Sequence, residues 1–327
     1  MSERPTAVRP LSTINLSRKL KLSQMMVFAR VLDTGSFIRA ANELGLTQPA
    51  ISKAIFELES FFGEELFNRS NRGVTPTEFG IMLGRRVQSL IAELRFMTDE
   101  VHAFRKGDTG HLIIGTLIAA SAVLLPRAIA QLQHEAPGVL VTIREGTAAQ
   151  LFPKLMTGEV DIVVGRLPER DSPLFTSSPI RHEQLYDEEF CVVSGTSHPL
   201  ARKADVEVAD LFDANWIFPL AESPARMAAE KMFHDAGVPL PTPKVESLSL
   251  LANLGLMLHS DLLSFMPRAA AVQLMNVGSL TILSMPAMHN VGRVGFSIRA
   301  DKDLAPSCKR FLMCLRRSAS ELSKQSG

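Results

Sequence analysis

Cysteine is scarce in these 327 residues. The three present, Cys191, Cys308 and Cys314, are an odd and widely spaced set. Such a set excludes a disulfide framework and has no metal-binding spacing, so three inert thiols in a reducing cytosol are expected. Long apolar runs are also missing. The longest, Leu112 to Leu125, is broken by Gly115, Thr116 and Ser121. It falls short of the roughly 20 residues needed to cross a bilayer, and a strand running into a helix explains it better. Met1 to Asn15 is polar and Pro-containing with no apolar h-region, so a cytoplasmic chain with no membrane segment is expected. Catalytic signatures are absent too: no GxSxG elbow, no phosphate-binding P-loop, no GxGxxG and no His/Cys metal spacing. Ser194, Ser197 and His198 lie close in sequence, but no acid or oxyanion-forming turn accompanies them. No metal and no resident cofactor are expected.

An excess of one charge sign is missing as well. The net charge is +1, but its distribution is uneven. Residues 1–76 carry ten Lys and Arg against seven Asp and Glu, and residues 111–327 carry twenty against twenty-two. The N-terminal segment is the basic one. With 46% hydrophobic and 21% charged residues the chain can bury real cores, and its length implies roughly two or three domains.

What is present concentrates between Ser23 and Pro76. Met25, Phe28, Ala29 and Leu32 recur at a helical period until Thr34-Gly35 stops them. Ser36 then caps a second helix, whose Ala40, Ala41 and Leu44 form a thin inner face. Gly45 ends it, and Thr47 caps a third helix with Pro49 in its first turn. Ile51, Ile55, Leu58 and Phe62 form the buried stripe of that third helix; Gln48, Ser52, Lys53 and Phe56 form its opposite face. Leu66–Arg69 and Gly73–Thr75 read as a hairpin turning at Ser70-Asn71-Arg72-Gly73. This is a helix-turn-helix followed by a basic wing, which points to double-stranded DNA. The first turns of the third helix would meet base edges in the major groove. There Gln48 suits an adenine, Ser52 donates or accepts, and Pro49 and Ala50 suit a thymine methyl. Arg39, Thr47, Lys53 and Thr75 suit phosphates, and Arg69 and Arg72 suit phosphates or the minor groove. Each also has a plainer reading: Arg39 and Lys53 as solvated charges, Thr47 as a cap alone. The register they share favours DNA.

Thr77 opens a long helix to about Arg105. Phe79, Leu83, Val87, Leu90, Leu94, Met97 and Val101 repeat at threes and fours, close to a heptad seam that needs a partner helix. After Lys106–Gly110 the pattern alternates strand and helix. Strands are expected at Leu112–Gly115, Val139–Arg144 and Val160–Gly165, with helices at Ser121–Glu135 and Ala148–Thr157, in a parallel sheet covered on both faces. A second unit follows, with strands at Phe190–Ser194, Trp216–Pro219, Leu262–Met266, Leu280–Ser284 and Val291–Arg299. Its helices are expected at Pro224–Asp235, Leu248–His259 and Ser307–Leu322.

These residues resemble the LysR-type transcriptional regulators over nearly the whole chain. The most specific stretch runs from Phe28 to Gly80 and includes Ser36-Phe37, Ala40-Ala41, Thr47-Gln48-Pro49-Ala50-Ile51-Ser52, Leu66-Phe67, Arg69 and Gly73-Val74-Thr75-Pro76. Further landmarks are Leu124-Leu125-Pro126, Gly158-Glu159-Val160-Asp161, His198-Pro199-Leu200 and Trp216-Ile217. Gly165-Arg166-Leu167-Pro168 and Val245-Glu246-Ser247 look closest to the subgroup of the galactose-binding-protein regulator and the aromatic-acid catabolism regulators. The resemblance implies an α+β multidomain protein: a flexible arm (1–20), a winged helix-turn-helix (21–76), a dimerising linker helix (77–106) and a two-lobed α/β effector domain like a periplasmic binding protein (107–327). It further implies a bacterial cytoplasmic homodimer or homotetramer, a sugar or aromatic or organic acid as effector, control of a catabolic or transport operon, and RNA polymerase as a further partner. The alternative is a cytosolic metabolic enzyme with an accessory DNA-binding domain.

In a two-lobed α/β domain the ligand sits between lobes, at strand ends and helix starts. That selects Ala120, Ser121 and Thr147 from one lobe and Ser223, Glu246 and Ser247 from the other. Ser121 and Thr147 serve equally well as plain N-caps. Arg166 could bind an acid bidentately. Its other reading is an ion pair with Glu145 or another crevice carboxylate.

Overall fold

The computed structural model describes residues 19–70, 73–104, 109–117, 122–169, 179–221, 223–286 and 288–326. Two compact units emerge: residues up to 97 with the stretch 157–159, and residues 98–156 with 160–327.

The N-terminal unit contains α1 (Leu22–Thr34), α2 (Phe37–Leu44), α3 (Gln48–Phe62), the antiparallel strands β1 (Phe67–Ser70) and β2 (Gly73–Pro76), and α4 (Glu78–Phe104) as far as Met97. Local chemistry sets the helix boundaries. The Ser36 hydroxyl accepts from the Arg39 N–H and the Thr47 hydroxyl from the Ala50 N–H, each at 3.4 Å. Gly35 and Gly45 end α1 and α2 in the left-handed region, at φ 60° and 63°. Ala40 and Ala41 are buried against a core of Phe28, Val31, Ile51, Ile55, Leu58 and Leu66. Phe67 brings the wing onto that core, edge-on to Phe28 at 5.5 Å and to Phe37 at 6.1 Å.

Three hydrogen bonds fix the base of the wing. The Leu66 N–H donates to Glu59 Oε1 of α3 (3.0 Å), the Thr77 N–H donates to the Leu66 carbonyl (3.0 Å), and the Thr77 hydroxyl donates to the Glu65 carbonyl (2.6 Å). Gly80 lies so close that a Cβ there would stand 2.2 Å from the Leu66 carbonyl oxygen. Gly→Ala inside a helix ordinarily stabilises by up to about 1 kcal/mol. Here Gly80→Ala should instead destabilise by about 1–3 kcal/mol, because the backbone of the wing must move. Thermal unfolding followed by circular dichroism checks this; a melting temperature at or above wild type would show that the wing base yields.

The apolar repeat on α4 divides. Val87 is buried, and Phe79 and Leu83 are partly buried, all packed on the helix-turn-helix core of the same chain. Leu90, Met97 and Val101 are exposed, and Leu94 is partly buried. The seam read from the sequence is therefore shorter on the free surface. Val87 already has its partner, because period alone does not say whose core covers a stripe.

Among the described residues the C-terminal unit is built on one mixed nine-stranded sheet in the order β4 (Gly138–Glu145), β3 (Thr109–Thr116), β5 (Ile162–Arg166), β11 (Met288–Arg299), β6 (Ile180–Ser194), β9 (Leu262–Pro267), β7 (Asn215–Phe218) and β8 (Val245–Glu246), with β10 (Thr281–Ile282) also on β6. The three strands expected to be parallel, β3, β4 and β5, are so, but the sheet they belong to is mixed. β3 is parallel to β4 and β5, and β7 to β8 and β9, but β6 and β11 run antiparallel to each other and to their other neighbours. These two long strands are the common spine of both lobes. The first half of β6, Arg181 to Glu189, is nearly all polar and carries no strand alternation. Its pairing with β11 supplies what the pattern lacks, so the strand starts at Ile180 rather than Phe190.

One lobe carries α5 (Leu124–Glu135), α6 (Ala148–Thr157) and α10 (Pro306–Ser326), with α10 along α5. The other carries α7 (Pro224–Asp235), α8 (Leu250–His259) and α9 (Arg268–Asn276). α9 has no expected counterpart: its alanines are good helix formers but make too short an apolar period to mark a helix in the sequence. Trp216 anchors the second lobe, fully buried and stacked on Phe265 at 4.7 Å, with its indole N–H donating to the Leu211 carbonyl at 3.0 Å.

Candidate functional site

Two surfaces carry the chemistry, one in each unit. In the first, Thr47, Gln48, Pro49, Ala50, Lys53 and Phe56 are all exposed at the start and along the outer face of α3, with Ser52 partly so. Ile51, Ile55 and Leu58 on the inner face are buried. That fixes the helix rotation, so the outer face cannot turn inward without exposing the core. Gln48 Nε2 donates to Ser52 Oγ at 3.1 Å, one turn later. The carboxamide is thus oriented, with Oε1 and one N–H left for a base edge. Gln24 of α1 donates to Glu57 at 2.6 Å, and Lys53 lies 3.9 Å from the same carboxylate. The Arg39 guanidinium is held against the Thr34 carbonyl and remains exposed. Thr75 is exposed on β2 opposite Asn68. Arg69 lies in β1, but its side chain and the whole of Arg72 lie outside the described residues.

In the second surface, a cavity of about 500 Å³ opens between the lobes, within the usual range for small-molecule sites. Thr147 and Gln150 line it from the start of α6, Ser223 from the start of α7, and Ser247 and Asn253 from the loop before α8 and from α8 itself. Leu117, Phe190, Pro219, Leu248, Phe265 and Pro267 form apolar walls. At the base lie Arg166, at the end of β5, and Glu188, on β6. Arg166 Nε donates to Glu188 Oε2 at 3.1 Å, and Nη2 donates to the same oxygen. The Glu188 side chain is 3% exposed and the Arg166 side chain 17%. Burial pushes the Glu188 carboxyl above its ordinary range, against the opposing pull of Arg166.

The pairing spans a strand. In the order β5-β11-β6, Arg166 must cross β11 to reach Glu188, and it crosses at Gly292, the residue paired with Glu188. A Cβ on Gly292 would lie 2.8 Å from Arg166 Nε. Only a residue without a side chain leaves that passage open.

Residues 22–81 match the model of the bacterial regulatory helix-turn-helix protein, lysR family, and residues 105–320 match the LysR substrate binding domain. The chain belongs to the LysR family of transcriptional regulators. One relative is the HTH-type transcriptional regulator GbpR of Azospirillum brasilense, 30% identical over 92% of this chain and 87% of that one. Another is the regulator PcaQ of Agrobacterium fabrum, 27% identical over 94% of this chain and 97% of that one. The crystal structure of full-length CbnR complexed with its target DNA has the same fold, with a TM-score of 0.63 at 20% identity over 91% of this chain and all of that one. This LysR-family chain is accordingly a DNA-binding transcriptional regulator with an effector-binding domain, and not an enzyme.

Among the crevice residues read from the LysR resemblance, Thr147, Arg166, Ser223 and Ser247 line the cavity. Glu246 does not; its carboxylate instead accepts from Arg226 Nη1 at 3.3 Å. Ala120 and Ser121 lie outside the described residues. Ser223 is also the cap of α7, accepting from the Arg226 N–H at 3.1 Å. The Thr147 N–H donates to Gln150 Oε1 at 3.0 Å, and Ser247 Oγ accepts from the Ser249 N–H at 3.1 Å. Arg166 makes an ion pair with a crevice carboxylate, as its second reading has it, and that carboxylate is Glu188. Glu188, Phe190, Gln150 and Asn253 went unread. A glutamate inside a polar stretch gives no local signal, and only the pairing of β6 with β11 carries it under the crevice.

His198, read as a loop landmark, caps the 3₁₀ turn Pro199–Arg202: its Nδ1 accepts from the Leu200 N–H at 3.1 Å. Cys191, Cys308 and Cys314 are all buried, and burial pushes the Cys191 thiol up to about 12. Among the described residues no cluster of His, Cys, Asp and Glu could hold a metal ion, and no helix is long and apolar enough to cross a membrane.

Proposed function

We propose that this LysR-family regulator acts in the cytoplasm as a homodimer assembling to a homotetramer, and reads its operator through the N-terminal half of α3. The observation that carries this is the exposed run Thr47-Gln48-Pro49-Ala50 with Ser52 and Lys53, held outward by a fully buried opposite face. Gln48 and Ser52 read base edges. Arg39, Thr47, Lys53, Thr75 and the wing residues Arg69 and Arg72 hold phosphates. Residues 21–76 form the reading head, 77–106 the linker and 107–327 the effector domain. A sugar or an aromatic or organic acid in the crevice controls a catabolic or transport operon, with RNA polymerase as the further partner.

Dimerisation uses Leu90, Leu94, Met97 and Val101. The exposure of Leu90, Met97 and Val101 along one helix supports this: isolated helices of that kind gain their stability by packing. Met97→Asp should lower the assembly state in sedimentation velocity. It should also weaken binding to a duplex selected by the wild-type chain from a random pool, by roughly a hundredfold or more, since two linked heads bind far more tightly than one. An unchanged sedimentation coefficient would remove α4 from the dimer interface.

A further inference from the structure

The outer face of α3 holds one large apolar side chain that hydrogen bonding to bases and phosphates leaves without a part. Phe56 is 65% exposed. It stands on one stripe with Pro49, Ser52 and Lys53, at offsets of three, four and seven residues, so the four side chains are neighbours along the helix. Ile51, Ile55 and Leu58 are buried on the other side and fix the rotation of all four. Isolated exposed apolar side chains are ordinary on a protein surface. Continuity with the face that meets DNA sets this one apart. From it we infer that Phe56 is a specificity-determining residue, which packs against the C5 methyl group of a thymine in the major groove. The inference rests on α3 lying in that groove, as proposed above, and extends the reading past the first turns of the helix.

The chemistry of the side chain selects the contact. A phenyl ring has no hydrogen-bonding atom to offer a phosphate or the polar part of a base edge. The apolar group that B-DNA presents in its major groove is the thymine methyl, and phenylalanine is among the side chains that meet it. Covering that methyl takes apolar surface of both partners out of water. The offsets fit as well: recognition helices of the homeodomain kind meet bases at i, i+3, i+4 and i+7. From Pro49 to Phe56 the helix advances about 10 Å along its axis, or about three base pairs at roughly 3.4 Å each. The acids beside the stripe are engaged elsewhere. Glu57 accepts from Gln24 Nε2 at 2.6 Å and lies 3.9 Å from Lys53, and Glu59 accepts from the Leu66 N–H at 3.0 Å. Lys53 is the one charged side chain of the four.

Exchange of thymine for uracil tests this, since it removes the methyl and leaves the base pair intact. The full-length chain is titrated by fluorescence anisotropy with the duplex it selects from a random pool, each thymine replaced in turn by deoxyuridine. For the wild type, one exchange in each half-site should weaken binding by roughly fourfold, the worth of one buried methyl-sized group. Phe56→Ala should weaken binding to the unmodified duplex by roughly fourfold or more, and should no longer respond to that exchange. Phe56→Leu stays apolar and should keep part of the response. Because Phe56 is exposed, Phe56→Ala should melt near wild type. If every exchange felt by the wild type is felt equally by Phe56→Ala, the proposal is overturned, as it is by a wild type indifferent to all of them. Gln48→Ala separates this failure from failure of the reading beneath it. Discrimination lost in Gln48→Ala but unchanged in Phe56→Ala keeps α3 in the groove and removes Phe56 from the bases. Discrimination unchanged in both takes α3 itself off the bases. Unchanged DNA binding with a lower sedimentation coefficient in Phe56→Ala reassigns the ring to a contact between protein chains.

Discussion

Arg166→Met should be among the most damaging single substitutions in the effector domain, costing about 3–5 kcal/mol at neutral pH. The methionine keeps most of the side-chain volume. What it removes is the ion-pair partner of Glu188, whose side chain is 3% exposed. Adding Glu188→Leu should return stability to within about 1 kcal/mol of wild type, because removing both charges of a buried pair is often neutral while removing one is not. The pH dependence separates this from a loss of packing. Burial raises the Glu188 carboxyl above the ordinary 4.5, and without Arg166 nothing opposes that rise. The folded Arg166→Met chain therefore holds its proton more tightly than the unfolded chain does. Its deficit is full above the raised folded-state value, shrinks as pH falls through it, and is lost below the unfolded value. Thermal melts of both chains between pH 8 and pH 5 should show the gap in melting temperature closing toward acid. A gap that stays constant would assign the loss to packing alone.

Gln48→Ala should lower discrimination between the selected duplex and unrelated DNA by roughly 10- to 100-fold, the range for one bidentate base contact. Ser52→Ala should lower it less, mainly by releasing the Gln48 carboxamide from the 3.1 Å bond that orients it. Because the two side chains act as a unit, the double variant should lose less than the two single effects combined. Neither variant should change how affinity falls with salt, since that slope counts phosphate contacts and not base contacts. Fluorescence anisotropy at two salt concentrations separates the outcomes. A flatter slope in Gln48→Ala would move that residue from the bases to the backbone.

The reading head was legible because its signals are local. Ser36, Thr47, Gly35 and Gly45 each sit within four residues of the backbone groups they cap, and the stripe Ile51-Ile55-Leu58 fixes the outward face by period alone. The crevice was legible only where it is equally local: Thr147, Ser223 and Ser247 lie at or near helix starts. Its floor was not, because Glu188 gets there by strand pairing with Gly292, over a hundred residues away, and Arg166 meets it only by passing over that glycine. The seam of α4 was half legible. Its apolar period is plain in the sequence, but only the fold shows that Phe79, Leu83 and Val87 pack on their own chain, leaving Leu90, Met97 and Val101 exposed.

We propose that paired copies of α3 read DNA in its major groove. A hydroxyl-radical footprint of the full-length chain on its selected duplex tests it most directly. The expected pattern is two protected patches related by dyad symmetry, spaced by one helical turn of about 10–10.5 base pairs or a multiple of it, with both patches lost in Gln48→Ala. Continuous protection without periodic spacing, or an unaltered footprint in Gln48→Ala, would contradict it.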